Sequence, residues 1–410
     1  MFFYSLLLTL LLPLALLRLL WKARRNPDYA RRWGERFARQ LPPPLPNSLL
    51  VHTVSVGEFL ALRPLLEYWL QREPGNLWLC CTTPTGSTQI ERFRRQHPDR
   101  IRHSYLPYDQ PRLVKRFLDH VQPRALLLME TELWPNLIVQ AEARGLPVLL
   151  ENARLSARSA RRYQRYLGWL LPRIMPPLRI NAQNRATAKR FARLGAKIIT
   201  LTPSLKYYLP PRPAPTLPRP KRFVWLCAST HPGEEALLLD AYQRLDFPCQ
   251  LILAPRHPER RTEIEALCRR RGLRVNKRSA GEPLDEIFLL DTLGELVDFL
   301  ALADVAFIGG SLIRHGGHNP LEALQVGTPV FFGPHMFNFA EISAELLTQP
   351  FARQIQSAAE IGPTLAALAS QKNSESMRAY ARRQENLLAR HYAVIKAFCE
   401  RSAPPAQGVP

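Results

Sequence analysis

Along the chain, short apolar runs alternate with longer stretches in which apolar positions recur at helical spacing. The first set of runs covers residues 49–55, 77–82, 101–106, 125–129, 148–150, 178–182 and 197–201. A second set covers residues 223–227, 251–254, 273–275, 287–290, 305–308 and 330–332. Continuously apolar strands separated by helices predict parallel sheets covered on both faces. Between the two sets the proline density of residues 209–220 excludes helix and central strand. The pattern therefore predicts an N-terminal domain over 22–205, a semi-rigid connector over 206–220 and a C-terminal domain over 221–375. Residues 376–410 read as a charged helix to about Phe398, free to cross back and brace the first domain, followed by a frayed tail around Ala403, Pro404 and Pro405.

The N-terminus departs from this alternation. Residues 1–17 carry no charged side chain, and Arg18, Lys22, Arg24 and Arg25 follow. A secretory leader would place positive charge before the apolar run and a small-residue cleavage site after it, so residues 1–21 read as an uncleaved anchor. With Leu19, Leu20 and Trp21 the run just reaches the roughly 30 Å of a bilayer core. The basic residues after it put the body of the protein on the cytoplasmic side. Pro13 and the short length leave a shallow interfacial insertion open.

At 410 residues the chain exceeds what one core supports, which agrees with two domains. Its net charge of +22 and pI of about 10.3 imply a polyanionic neighbour: nucleic acid, an anionic membrane or a phosphorylated substrate. Cys80, Cys81, Cys227 and Cys249 sit in or beside apolar runs without CxxC spacing, as packing thiols do in a reducing compartment. His315 and His318 form an HxxH inside a glycine loop, which suits loop or substrate contacts better than zinc.

In sheets of this kind, function gathers at the carboxyl ends of the strands. After the first run, Ser55-Val56-Gly57-Glu58 is a tight turn opening a helix, and on these residues alone Glu58 reads first as a dipole-favoured cap residue. After the fourth run come Glu130 and Glu132 before a Trp-Pro turn; two carboxylates there are costly unless paired or used. Arg158, Arg161, Arg162 and Arg165 line one side of an amphipathic helix. They form a solvated basic face or, beside an anchor, a cradle for a phosphorylated lipid. The run ending at Ile308 leaves through Gly309, Gly310, Gly316 and Gly317 towards a helix with Asn319 as N-cap, Pro320 at its first position and Glu322 three residues after the cap. Such a helix start stabilises a phosphate. Glu322 can complete a capping box or accept from a ribose diol, and spacing alone favours the cap. Neither a GxGxxG fingerprint nor a GxxxxGK[ST] loop occurs.

Taken in order, residues 52–58, 129–136, 152–159, 229–235, 255–260, 291–296 and 316–323 resemble the motifs of the Kdo transferases of lipopolysaccharide assembly. These glycosyltransferases act on 3-deoxy-D-manno-oct-2-ulosonic acid (Kdo). Two positions depart from the family pattern: His52-Thr53-Val54-Ser55 replaces His-Ala-Ala-Ser, and Tyr208 stands where an acid usually follows the Lys206-Tyr207 pair. The resemblance implies the GT-B architecture, an α/β fold of two Rossmann-like domains with a cleft between them, plus the N-terminal membrane-anchor helix. It further implies inverting transfer of Kdo from CMP-Kdo to the tetraacyldisaccharide lipid A precursor, lipid IVA, at the cytoplasmic leaflet of the inner membrane. On the matching residues Glu58 is the general base, while Glu130 and Lys206 stabilise the transition state. Pro255, Arg256, Gly294, Glu295, Leu296, Asn319, Pro320, Leu321 and Glu322 bind CMP. No metal, cofactor or nucleic acid is implied, CMP-Kdo being the donor substrate. The competing expectations are a membrane-associated GT-B enzyme using a nucleoside-diphosphate sugar, and a non-catalytic membrane-anchored polyanion binder.

Overall fold

The computed structural model describes residues 1–211, 217–370 and 374–400. Residues 212–216 of the proline-rich connector and the expected tail at 401–410 lie outside the described residues. The chain divides into two compact units, Met1–Tyr208 with Asn386–Pro410, and Leu209–Glu385.

The first unit holds seven parallel strands: β1 (Leu49–His52), β2 (Leu77–Cys81), β3 (Ile101–Tyr105), β4 (Ala125–Met129), β5 (Val148–Ala153), β6 (Leu178–Ala182) and β7 (Ile198–Leu201). They are ordered β3-β2-β1-β4-β5-β6-β7, so the direction of winding reverses between β1 and β4. Ligands of open α/β sheets sit beyond the carboxyl ends of strands at such a reversal. Strand pleating sends Leu50, Leu126, Leu128 and Leu150 to one face, with Phe117 and Ile138. It sends Leu49, Val51, Leu127 and Leu149 to the other, where Leu388, Ile395 and Phe398 of the helix Leu387–Glu400 join them. The closing helix thus returns to cover the first sheet.

The second unit repeats the plan with β8 (Phe223–Thr230), β9 (Cys249–Pro255), β10 (Asn276–Lys277), β11 (Ile287–Leu289), β12 (Val305–Ile308), β13 (Val330–Phe332) and β14 (Ala352–Gln354). All pair in parallel, in the order β10-β11-β9-β8-β12-β13-β14, with the reversal between β8 and β12.

Several expectations need correction. The run 273–275 is not a strand; only Asn276 and Lys277 pair, at the sheet edge. β14 escaped notice because only Ala352 of its residues is buried. Residues 206–208, expected in the connector, belong to the first unit, and the expected closing helix is two helices, of which Ser374–Arg382 belongs to the second.

The N-terminal helix Phe2–Arg25 is long and apolar enough to cross a membrane. One side docks on the first unit, where the Tyr4 hydroxyl donates to Asp109 (2.9 Å) and the Ser5 hydroxyl to Asn136 (3.1 Å). Phe3, Leu7, Leu10, Leu14 and Leu17 face outward and exposed. The cysteines Cys80, Cys81, Cys227, Cys249 and Cys268 are buried free thiols.

Candidate active site

At the reversal in the first sheet, the turn after β1 places Ser55 as N-cap of the helix Val56–Leu70, its hydroxyl accepting from the Glu58 N–H (3.3 Å). The Glu58 carboxylate reaches back to accept from the Val54 N–H (2.8 Å) and the Ser55 hydroxyl (3.1 Å). Glu58 therefore ties down the turn before its helix, bonding the N–H one residue ahead of the N-cap, at the position where a ligand would sit.

After β4, Glu130 takes φ 53°, a left-handed conformation costly for a residue with a side chain. Two bonds hold it there: its N–H donates to the Glu151 carbonyl (3.0 Å), and its carbonyl accepts from Arg154 (3.1 Å). The side chain is thereby aimed at Lys206, whose Nζ lies 3.4 Å from Oε1. Lys206 sits in a single helical turn, Leu205–Tyr207, tied to β5 by the Leu205 N–H donating to the Asn152 carboxamide oxygen (3.1 Å).

Burial pushes the Glu58 carboxyl above its ordinary range. The Val54 N–H pulls it down, the charge of Glu130 pushes it up, and Ser55 and Lys206 pull it down again. Glu132 joins the group, its carboxylate accepting from the Trp134 indole N–H (2.9 Å). Burial, followed by the Glu58 charge, raises its pKa to about 7. The charges of Glu58 and Glu130 both act on Glu132, and Lys206 pairs with Glu130.

Glu132 carries a testable consequence for stability. Its folded pKa of about 7 lies above the ordinary 4.5, so its contribution is present in acid and lost as pH rises from about 4.5 through 7. Glu132→Gln should therefore stabilise the chain at pH 8 by about 2–3 kcal/mol and change little at pH 4.5. Thermal melts at the two pH values read the difference; equal shifts would contradict it.

In the second unit, β8 and β12 are the pair at the reversal. Between them lies Glu234, whose carboxylate accepts from the N–H groups of His231 (3.0 Å), Gly310 (2.6 Å), Ser311 (3.0 Å) and Leu312 (3.0 Å). Those loop donors, which resemble a phosphate cradle in sequence, are held by an internal carboxylate. Gly309 has a different task. A Cβ there would lie 2.4 Å from the Ser229 carbonyl oxygen, so only glycine permits β8 and β12 to approach this closely.

The expected helix start is also displaced. The helix is Leu321–Val326, with Pro320 rather than Asn319 as its N-cap, and the Asn319 carboxamide oxygen accepts from the Leu321 N–H (3.1 Å). An Asx-type bond thus opens this short helix, and Glu322 lies in its first turn. Pro255 ends β9, and Arg256 follows it, exposed, its N–H bonded to the Thr230 carbonyl (3.0 Å). Gly294, at φ 93°, turns the chain after β11 into the helix Leu296–Leu302, which Glu295 caps. The Glu295 carboxylate is committed to Arg278 (2.6 and 3.0 Å).

Sequence inspection noted the histidines without assembling them. His231 and His318 face each other through Nε2 (2.8 Å), and the His315 ring lies against His231, tilted by 31° with ring centroids 3.7 Å apart. Burial, then the neighbouring His315, lowers His231 to about 4. Burial, then His231 and Arg256, lowers His318 to about 3. Both rings are neutral at pH 7 and share one N–H···N bond, a polar, uncharged patch beside Arg256.

Comparison with known proteins decides between the expectations. Residues 31–209 match the family model described as 3-deoxy-D-manno-octulosonic-acid transferase (kdotransferase). A 3-deoxy-D-manno-octulosonic acid transferase of Haemophilus influenzae is 38% identical over 389 residues, 90% of this chain and 88% of its own length. The chain belongs to the Kdo transferase family. A second member, from Bordetella pertussis, is 38% identical over 80% of this chain and 82% of its own. The crystal structure of Acinetobacter baumannii MurG, 14% identical, covers 85% of this chain and 99% of its own with a TM-score of 0.56, and shows that the fold is GT-B. This Kdo transferase is thus a glycosyltransferase, and its acids after β1 and β4 belong to the unit that the family model matches.

Proposed function

We propose that this Kdo transferase moves Kdo from CMP-Kdo to the lipid A precursor lipid IVA, inverting the anomeric carbon. The observation that carries the reading is Glu58, raised by burial and by Glu130, beside the Lys206–Glu130 pair. Its carboxylate takes the proton of an acceptor hydroxyl as that oxygen bonds the anomeric carbon. The bond from that carbon to the phosphate oxygen breaks, and its electron pair leaves with CMP. A carboxylate near the developing oxocarbenium ion, Glu130, stabilises it. In the second unit Arg256, the turn 294–296 and residues 319–322 hold CMP, with Arg256 offsetting phosphate charge.

The acceptor is a phosphorylated lipid, for which the first unit offers two features. Arg158, Arg161, Arg162 and Arg165 are exposed on the helix Ala157–Leu167 near exposed Tyr166 and Trp169, and the N-terminal helix presents an apolar outer face. Its Tyr4 and Ser5 bonds to the first unit favour a helix lying in the cytoplasmic leaflet of the inner membrane over one leaving the domain.

Mass spectrometry of lipid products tests the reading: CMP-Kdo and lipid IVA should give the acceptor plus Kdo, and an unchanged acceptor would refute it. CMP, and not UDP, should raise the melting temperature; the reverse would favour a nucleoside-diphosphate sugar. The leaving group carries one phosphate, for which protein cations suffice, so turnover should persist in EDTA. Loss in EDTA with recovery on adding Mg²⁺ would overturn that point.

A further inference from the structure

Beneath the Glu130–Lys206 pair lies a polar cluster without exposure to solvent: Glu151 of β5, Asn181 of β6 and His391 of the closing helix. Asn181 donates through its amide to both Glu151 oxygens (2.9 and 3.1 Å), and His391 Nδ1 meets Glu151 Oε1. His391 Nε2 lies 2.9 Å from the Pro203 carbonyl. A carbonyl only accepts, so Nε2 carries the hydrogen of that bond, and the Nδ1–Oε1 contact needs a hydrogen between its two atoms.

Burying such a group is expensive, and apolar side chains would fill the same space at no such cost. What the cluster touches explains its presence. The backbone carbonyl of Glu151 receives the N–H that holds Glu130 at φ 53°. The next residue, Asn152, itself at φ 51°, accepts from Leu205, the neighbour of Lys206. His391 fixes Pro203, at the start of the same segment. Both members of the ion pair are therefore suspended from one buried assembly.

We propose that His391, through Glu151, is a positioning residue that holds the 203–206 segment and Glu130 in register, so that the closing helix completes the active site it does not line. The proposal rests on the reading of Glu130 and Lys206 as groups that act on the transition state.

A double-mutant cycle in the full chain tests it. His391→Leu keeps bulk and removes both of its bonds; Glu151→Gln keeps volume and weakens the bonds to His391 and Asn181. Each should lower kcat by about 10²-fold, the cost of misplacing reactive groups by about an ångström, with the KM for CMP-Kdo within about twofold. In a background that already carries Lys206→Ala and Glu130→Gln neither should lower kcat much further, because both act through that ion pair. Full additivity in both cycles, or undiminished kcat in folded single variants, would overturn the proposal. If His391→Leu does not fold, the Glu151→Gln cycle decides alone. Undiminished turnover in Lys206→Ala itself would instead overturn the reading of Lys206, and that appears in the single variant before either cycle is closed.

Discussion

Glu58→Gln lowers turnover by about 10² to 10⁴-fold, the usual worth of a general base, while the protein stays folded and still binds CMP. Glutamine keeps one oxygen to accept from Val54 or Ser55, so the loss of helix capping is at most about 1 kcal/mol. What it cannot do is take the acceptor proton. The residues proposed to hold CMP lie in the other unit, so calorimetric CMP affinity should match the parent chain, and turnover within tenfold of it would remove Glu58 from the mechanism. The pH profile gives a second check with a definite sign. The Glu58 carboxyl is raised, so kcat/KM climbs with pH and levels off only once it ionises. Lys206 pulls that ionisation down and Glu130 pushes it up. Lys206→Ala should therefore move the acidic limb to higher pH, and Glu130→Gln should move it to lower pH. Because Glu58 and Glu132 are coupled, the limb reports the group and not one residue.

The difference between what the sequence disclosed and what it withheld follows from the range of the interactions. Strands such as 125–129 and 305–308 are buried on both faces and read as unbroken apolar runs, so their place in a parallel sheet was legible without coordinates. The acids after 125–129 were legible for the same reason: a charge at the end of a buried strand calls for an explanation. Glu132 was noticed but not placed, since its raised pKa depends on burial and then on the charge of Glu58, which lies across the junction between β1 and β4. His391 gave no signal at all. It lies 240 positions from Glu151, and only the return of the closing helix makes the two neighbours. The loop after β12 misled in a specific way. Glycines before a capped helix suggest an anion site, and an anion is present among its N–H groups, but it is the protein's own Glu234.

That substitution of an internal carboxylate for an external anion makes Glu234→Ala the most damaging change expected in the second unit. The side chain is fully buried and receives the N–H groups of His231, Gly310, Ser311 and Leu312. Burial raises its pKa and those N–H groups oppose the rise, as befits a carboxylate solvated by backbone in place of water. Alanine would leave several donors without an acceptor, at about 1–3 kcal/mol for each that stays dry. A loss of several kcal/mol corresponds to roughly 10 °C in melting temperature for a domain of this size. Glu234→Gln repairs little, because its amide points two further donors at donors. Since His231 and the loop leading to Asn319 are fixed by the same carboxylate, CMP affinity should fall together with stability, and the Gly310, Ser311 and Leu312 amides should lose protection from hydrogen exchange. A Glu234→Ala chain that melts, exchanges and binds CMP like its parent would mean that water can replace the carboxylate. The loop would then owe its shape to close packing alone, through the approach of Gly309 to the Ser229 carbonyl oxygen.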